Sequence, residues 1–405
     1  MAGILEGVKV VSMEHMEAIP AASVWLADWG AEVIKVEPLT GDMWRGTRRV
    51  RGTSTAVKLA GSSLQFAFEI LNRNKKSLAL DLKQEPGTEI LYKLIKGTDI
   101  FMSNYEASSL TKLKMDYATL SKINPRLIYA FISGYGRVGP LKDEGGYDRV
   151  AAWARAGFQY MLGEPGETPP MQRGGMMDRT IAPHAVAGVL AALWHRDKTG
   201  EGQELEISLY HSAVWTLALD IEAALIGRPM PKTPRTEQIN PIWNFYRTKD
   251  DRWITLGMLR SDRYWSNFCK VIGKPELDKD PRFVDMDARR ENCVELIRIL
   301  DEVFATKTIE EWEDTLKGCD FIYSRVQSPE EVVADPQVRV NNFFVDLHHP
   351  AGKIMTIATP VKFTQNPAEV RTSAPEIGQH NEEILLELGY SWEDIARLKE
   401  QGVTL

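Results

Sequence analysis

Asp178 stands in RGGMMDRTIAPHAVAG (residues 173–188), where a single carboxylate follows a Gly-Gly-Met-Met run and precedes a string of small residues. No second acid, lysine or metal-ligand spacing accompanies it in sequence. Two roles fit such a position. Asp is a favoured helix N-cap, and the residues that follow carry apolar side chains at helical spacing through Leu193. The other role is that of a nucleophile, with Gly174 and Gly175 letting backbone N–H groups approach a developing oxyanion.

Other chemistries find no motif. There is no G-x-S-x-G elbow for a serine nucleophile. The seven histidines, His15, His184, His195, His211, His348, His349 and His380, include no pair at the spacing of a helical metal site, so structural roles are expected. His184 follows Asp178 by about two helical turns and is kept as a supporting candidate. Cys269, Cys293 and Cys319 are far apart and form no C-x-x-C, which argues against both disulfides and zinc. No metal is expected.

The elements that must position Asp178 alternate strand and helix. GVKVVSM, EVIKVEP, KSLALDL, DIFMSNY, RLIYAFISGYG and ELEISLY read as strands. PAASVWLADWG, EPGTEILYKLIKG and TKLKMDYATLSKI read as helices between them, which predicts a doubly wound parallel sheet. Such sheets bind ligands at the carboxyl ends of their strands. The turn after the first strand, EHMEAIPA, lacks the glycines a dinucleotide fingerprint needs, so NAD and FAD are rejected; no Walker sequence is present.

A length of 405 residues predicts more than one compact region. The expected division is a large α/β domain over 1–224, a Pro-rich linker over 225–240, a small domain over 241–335 and a return segment over 336–405. A net charge of −7 gives no field for nucleic acid or an anionic membrane, so anions must be held by local patches. Arg45, Arg48, Arg49 and Arg51 form one patch, and Arg73, Lys75 and Lys76 another. No apolar run long enough to span a membrane and no signal peptide is read, so a cytoplasmic location is expected.

Several stretches in order, ADWGAEVIKVEPLTGDMWR, NRNKKSLALDLK, LIYAFISGYGRVGPLKDEGGYDRVAAWARAG, MDRTIAPHAVAGVLAALWHRDKTGEGQELEISLYHSAVW and PEIGQHNEEILLELGY, resemble the family III CoA-transferases. YRTKDDRWITLGMLRSDRYWSNFCKVIG resembles the branch that moves CoA onto 2-hydroxy acids such as hydroxyisocaproate and phenyllactate. The resemblance implies an α/β fold with a large Rossmann-like domain, a smaller α+β domain and an intertwined, ring-like homodimer. A heteromer with a paralogous subunit is the alternative assembly. It also implies coenzyme A thioesters as substrates and Asp178 as the covalent nucleophile, working through aspartyl anhydride and aspartyl-CoA thioester intermediates. Because carboxylates are ionised at neutral pH, no general base is expected.

By the same resemblance, CoA contacts are expected from Glu17 and Ala18, Arg45, Asn72, Arg73, Asn74 and Lys75, Asn104, Tyr105 and Glu106, Lys112, and Ser133, Gly134, Tyr135 and Gly136. Arg48 and Arg49 are the expected partners of a second carboxylate, should the acceptor be an aryl or alkyl dicarboxylate rather than a 2-hydroxy acid. Trp25, Trp29, Trp44, Trp153 and Tyr160 are candidates for an aromatic acceptor pocket, with core packing as the alternative. Relatives commonly carry Gly where this chain has Met177 and Ala182, which is expected to narrow the space at the carboxylate. Two other functions remain. An acyl-CoA racemase of the same family needs His before Asp where this chain has GGYD with Tyr147, and a non-catalytic CoA-binding subunit would not need Asp178.

Overall fold

The computed structural model describes residues 3–46, 49–50, 53–59 and 62–405. They divide into two compact units: one is Met1–Tyr160, Met171–Gly227 and Arg339–Leu405, the other Met161–Pro170 and Arg228–Val338.

In the first unit, β1 (Lys9–Met13), α1 (Ala18–Asp28), β2 (Glu32–Glu37), β3 (Lys75–Ala79), α2 (Glu85–Lys96), β4 (Ile100–Ser103) and β5 (Ile128–Ser133) follow the expected alternation. A long helix α3 (Met176–Thr199), β6 (Gln203–Ser208), α4 (Leu209–Thr216) and α5 (Ala218–Leu225) come after them. The six strands form one parallel sheet in the order β6-β5-β4-β1-β2-β3. The chain starts at the centre, winds out to β3, returns beside β1 as β4 and winds out the other way. Helices cover both faces, which is why VVSM, IFMS and IYAFI are apolar without alternation.

On one face α3 turns Met177, Ile181, Ala182, Ala185, Val186, Val189 and Ala192 towards Ala18, Ala21 and Ala22 of α1 in a single core. Small residues on both helices let their backbones come close. The other face is packed by Ile90, Leu91 and Ile95 of α2 and by Ile384, Leu385, Ile395 and Leu398 near the end of the chain.

A stretch read as a single helix is broken, and the helical end of the chain is divided as well. TKLKMDYATLSKI overlaps two short helices, Ala107–Lys112 and Tyr117–Ile123, because Lys114 adopts a left-handed φ of 59° and Asp116 caps the second helix through Thr119 N at 3.1 Å. HNEEILLELGYSWEDIARLKEQG divides at Gly389, φ 85°, into Asn381–Glu387 and Trp392–Glu400.

The second unit has a three-stranded antiparallel sheet, Phe245–Arg247, Trp253–Leu256 and Tyr323–Arg325, with helices Ser261–Val271, Cys293–Phe304 and Ile309–Leu316 around a core of Phe268, Phe304 and Trp312. Part of the stretch expected to be a linker is tied into this unit: Arg235 donates to Phe245 O at 3.2 Å and Asp301 Oδ2 at 2.7 Å.

Candidate active site

The winding direction reverses between β1 and β4, so the loops leaving their carboxyl ends diverge and open a crevice. His15 to Ala18 follow β1, Asn104 to Glu106 follow β4, and Ser133 and Gly134 end β5; together with Gly145 to Arg149 and the start of α3 they line a cavity of about 650 Å³. Asn104 fastens the first two loops, accepting from His15 N at 3.1 Å and donating to His15 O at 2.8 Å. The Gly134 and Gly146 backbones meet so closely that a Cβ on either would lie 2.6 Å from the other's Cα.

Asp178 lines this cavity in the first turn of α3. It is not the N-cap. Gly175 holds that place with φ 70°, and no side chain of the local sequence caps the helix. Instead Asp148, delivered by the GGYD loop, accepts from Met177 N at 2.8 Å. The expected cap at Asp178 is therefore replaced by a carboxylate from 30 residues upstream.

Asp178 also has company that the linear sequence hides. Burial, then repulsion from Asp148 and from Glu17, raises its carboxyl to about 7, opposed by Arg179. Burial raises Asp148 and Glu17 as well. A carboxylate fully ionised at neutral pH was expected; burial first, and the two neighbouring acids second, instead raise Asp178 to about 7. Arg179 pairs with Glu17 Oε2 and donates to Gly174 O at 3.1 Å. Asp148 and Arg179 are the site residues that sequence reasoning missed; their signals were the acid in GGYD and the arginine after Asp178.

Gly175 is a requirement of this packing, because a Cβ there would lie 1.9 Å from Glu17 Oε2 and the left-handed φ disfavours any side chain. Gly175→Ala is expected to displace Glu17 and the start of α3 and to lower kcat/KM roughly 10²-fold. Steady-state kinetics checks this, with a melting curve to show that the variant is folded.

Of the residues expected to contact CoA, Glu17, Ala18, Asn104, Tyr105, Glu106, Ser133 and Gly134 line the cavity with Gly174 and Gly175; Arg45, Asn72, Arg73, Asn74, Lys75, Lys112, Tyr135 and Gly136 do not. Three of the basic residues among them, Arg45, Arg73 and Lys75, are already engaged. Lys75 Nζ lies 2.6 Å from Glu14 Oε1 and Arg73 Nη2 2.7 Å from Asp28 Oδ2, all four residues being buried. Arg45 donates to Glu37 and, at 2.8 Å, to Pro375 O. Asn74 donates to Asp28 Oδ1 at 2.7 Å, and Asn72 to Phe68 O at 2.9 Å.

Lys75 belongs to a fully buried charge network. Lys35 Nζ sits 2.7 Å from Asp42 Oδ2 and 3.5 Å from Glu14 Oε1, and Ser23 Oγ donates to Glu14 Oε2 at 2.7 Å. Asp42 Oδ1 accepts from Trp44 N at 2.8 Å and from Met16 N at 3.3 Å, so the network fixes the wall of the cavity from behind. Arg48 lies outside the described residues, and Arg49 is exposed in the short hairpin Arg49–Val50 with Thr53–Ser54, apart from the lining.

The model of CoA-transferase family III matches residues 5–381. The chain belongs to this family of enzymes. The transferase is 35% identical over 401 residues to the (R)-2-hydroxy-4-methylpentanoate CoA-transferase of Clostridioides difficile, covering 99% of each chain. It is 31% identical to the cinnamoyl-CoA:phenyllactate CoA-transferase of Clostridium sporogenes, covering 98% of this chain and 96% of that one. A crystal structure of a CAIB/BAIF family protein from Brucella suis matches with a TM-score of 0.85 and 26% identity, over 96% of this chain and all of the other.

In the transferase, Met177 and Ala182 are buried in the core and absent from the cavity lining, which corrects the expectation that they narrow it. Of the aromatic candidates only Trp44 lines the cavity; Trp29 and Trp153 are buried, Trp25 packs against the core, and Tyr160 is exposed. His184 is not in the lining, whereas His15 is, with burial lowering its pKa. Among the described residues, no group of three or more His, Cys, Asp or Glu is placed to hold a metal ion, and no helix is long and apolar enough to cross a membrane.

Proposed function

We propose that the transferase moves CoA from an acyl-CoA to a free carboxylic acid, a 2-hydroxy acid or a dicarboxylate, with Asp178 as the nucleophile. The observation that carries the reading is a carboxylate on the first turn of α3, opening into the cavity at the strand-order reversal. The Asp178 carboxylate attacks the thioester carbonyl, the C–S bond breaks, and a mixed anhydride and CoA thiolate result. The thiolate attacks the aspartyl carbonyl and releases the donor acid, leaving aspartyl-CoA. The acceptor carboxylate then expels the thiolate to form a second anhydride. The thiolate attacks its acceptor carbonyl, forming the new acyl-CoA and regenerating Asp178. The Gly174 N–H supports the oxyanions, since Asp148 takes the N–H groups of Gly175, Met177 and Asp178 at the head of α3.

The pantetheine arm enters along the 650 Å³ cavity. For the adenosine end, support comes from a second cavity of about 400 Å³ that shares Tyr105 and is lined by Pro38, Leu39, Leu80, Leu82, Lys83 and Leu113. Its apolar walls suit a flat base, and Lys83 suits phosphate. Trp194 (66% exposed) on α3, Trp215 (68%) on α4 and Leu219 (75%) on α5 are a large apolar exposure that a second copy of the chain would cover. Sedimentation of the protein as a monomer would remove the dimer from this proposal.

The direct test is peptide mass spectrometry after incubation with a panel of acyl-CoAs and trapping with hydroxylamine. A hydroxamate on Asp178 that one donor produces and its acceptor suppresses is the expected result; binding of CoA esters with no adduct from any donor would favour a non-catalytic subunit.

A pH profile follows from the raised carboxyl. The ionised form is the nucleophile, so kcat/KM for the donor is expected to rise with pH through about 7 and then level off. Arg179 pulls the Asp178 pKa down, so Arg179→Gln is expected to move the midpoint upward; an unmoved profile would sink the electrostatic account.

A further inference from the structure

We propose that Glu17 selects the acceptor, its free carboxylate oxygen taking the hydrogen bond of a hydroxyl on the carbon beside the reacting carboxyl group. The inference rests on the reading of Asp178 as nucleophile and narrows the acceptor to a 2-hydroxy acid.

Glu17 is 7% exposed, lines the cavity and lies against Gly175, three residues before Asp178. Its two oxygens are not equivalent. Oε2 is held by Arg179, which orients the carboxylate, while no described residue donates to Oε1. Asp148, the other acid acting on Asp178, uses Oδ1 to hold Met177 N at the head of α3, and its Oδ2 is shut away from solvent. Glu17 Oε1 is thus an acceptor left open beside the reacting carboxyl group.

A second carboxylate so close to a nucleophilic one is unfavourable by itself, since each makes ionisation of the other harder. Chemistry that needs a strong acceptor at that point accounts for its presence. Once an acid is bound at Asp178, the substituent on its next carbon lies within a bond length or two of the reacting carbon, and a hydroxyl there is a donor for Oε1. An acid without the hydroxyl leaves Glu17 desolvated and unpaired, and a carboxylate in the same place is repelled. The same oxygen therefore favours the hydroxy acid over both its deoxy analogue and a short dicarboxylate.

Glu17→Gln tests this without changing shape. Arg179 demands an oxygen, so the amide turns its NH2 towards the cavity and cannot accept from a hydroxyl. Acceptors are compared in two matched pairs, phenyllactate with 3-phenylpropanoate and 2-hydroxy-4-methylpentanoate with 4-methylpentanoate, after Asp178 has been charged by a donor acyl-CoA that gives the hydroxamate. The wild-type protein is expected to prefer the hydroxy acid of at least one pair by about 10²-fold in kcat/KM, and Glu17→Gln to bring that ratio to within about threefold. Any effect on charging of Asp178 divides out of the ratio. No preference in the wild-type protein, no use of either hydroxy acid, or an unchanged ratio with a shifted pH midpoint overturns the proposal, the last showing that Glu17 only tunes Asp178. Absence of the adduct with every donor is a different failure: it removes the nucleophile reading itself, and this inference with it.

Discussion

Asp178→Asn is expected to lower turnover by roughly 10⁴-fold or more and, at the same time, to make the protein more stable above neutral pH. The folded-state carboxyl is raised from 3.8 to about 7, so the native state binds that proton more tightly than the unfolded chain. Above about 7 the folded protein bears the full cost of an ionised Asp178. As pH falls from about 7 towards 3.8 the folded carboxyl is neutral and the cost fades. The shift sets a ceiling of about 4 kcal/mol, and partial contact with solvent reduces the expected gain to about 1–2 kcal/mol at pH 8. Asparagine carries no such cost, so urea unfolding of the two proteins should separate at pH 8 and converge near pH 4. A variant that retains turnover removes the nucleophile; one that is less stable at pH 8 removes the like-charge account.

Lys35→Met carries the largest expected loss of stability, about 3–5 kcal/mol. Glu14, Asp42 and Lys35 are buried, and the lysine lies 2.7 Å from one acid and 3.5 Å from the other. Removing it leaves Lys75 as the compensating cation for Glu14 and takes from Asp42 its ion pair. The urea midpoint measures the loss. Combining Lys35→Met with Asp42→Asn should cost less than the sum of the single changes, since the neutral amide no longer needs the ammonium; strict additivity would show that the network does not act as a unit.

The central strands were legible because strands buried on both faces leave apolar runs such as IFMS and IYAFI, and the edge strand β6 because ELEIS alternates. The helix breaks were not, because Lys114 in a left-handed turn has none of the markers that a glycine supplies. In the site, Asp178 and the glycines before it stood out by their surroundings in sequence. The basic residues misled: side chains suited to phosphate are equally suited to buried carboxylates, and Arg73 and Lys75 meet theirs across 45 and 61 residues, a separation no local pattern records. Asp148 escaped for the same reason, as did the closeness of Glu17, expected only as a CoA contact, to Asp178. What makes Asp178 unusual is two acids, one contributed by the loop after β1 and one by GGYD, that only the fold brings to it.

The first unit is made of three pieces of chain; in sequence, Met161–Pro170 of the second unit separates the first two and Arg228–Val338 separates the last two. During synthesis, residues 339–405 leave the ribosome only after Arg228–Val338 have been made, and they carry Ile384, Leu385, Ile395 and Leu398, which cover one face of the parallel sheet. Until then a nascent chain already containing all six strands has that face without part of its cover. In the interval between translation of β6 and translation of the final helices, that apolar face is open to contact with other chains.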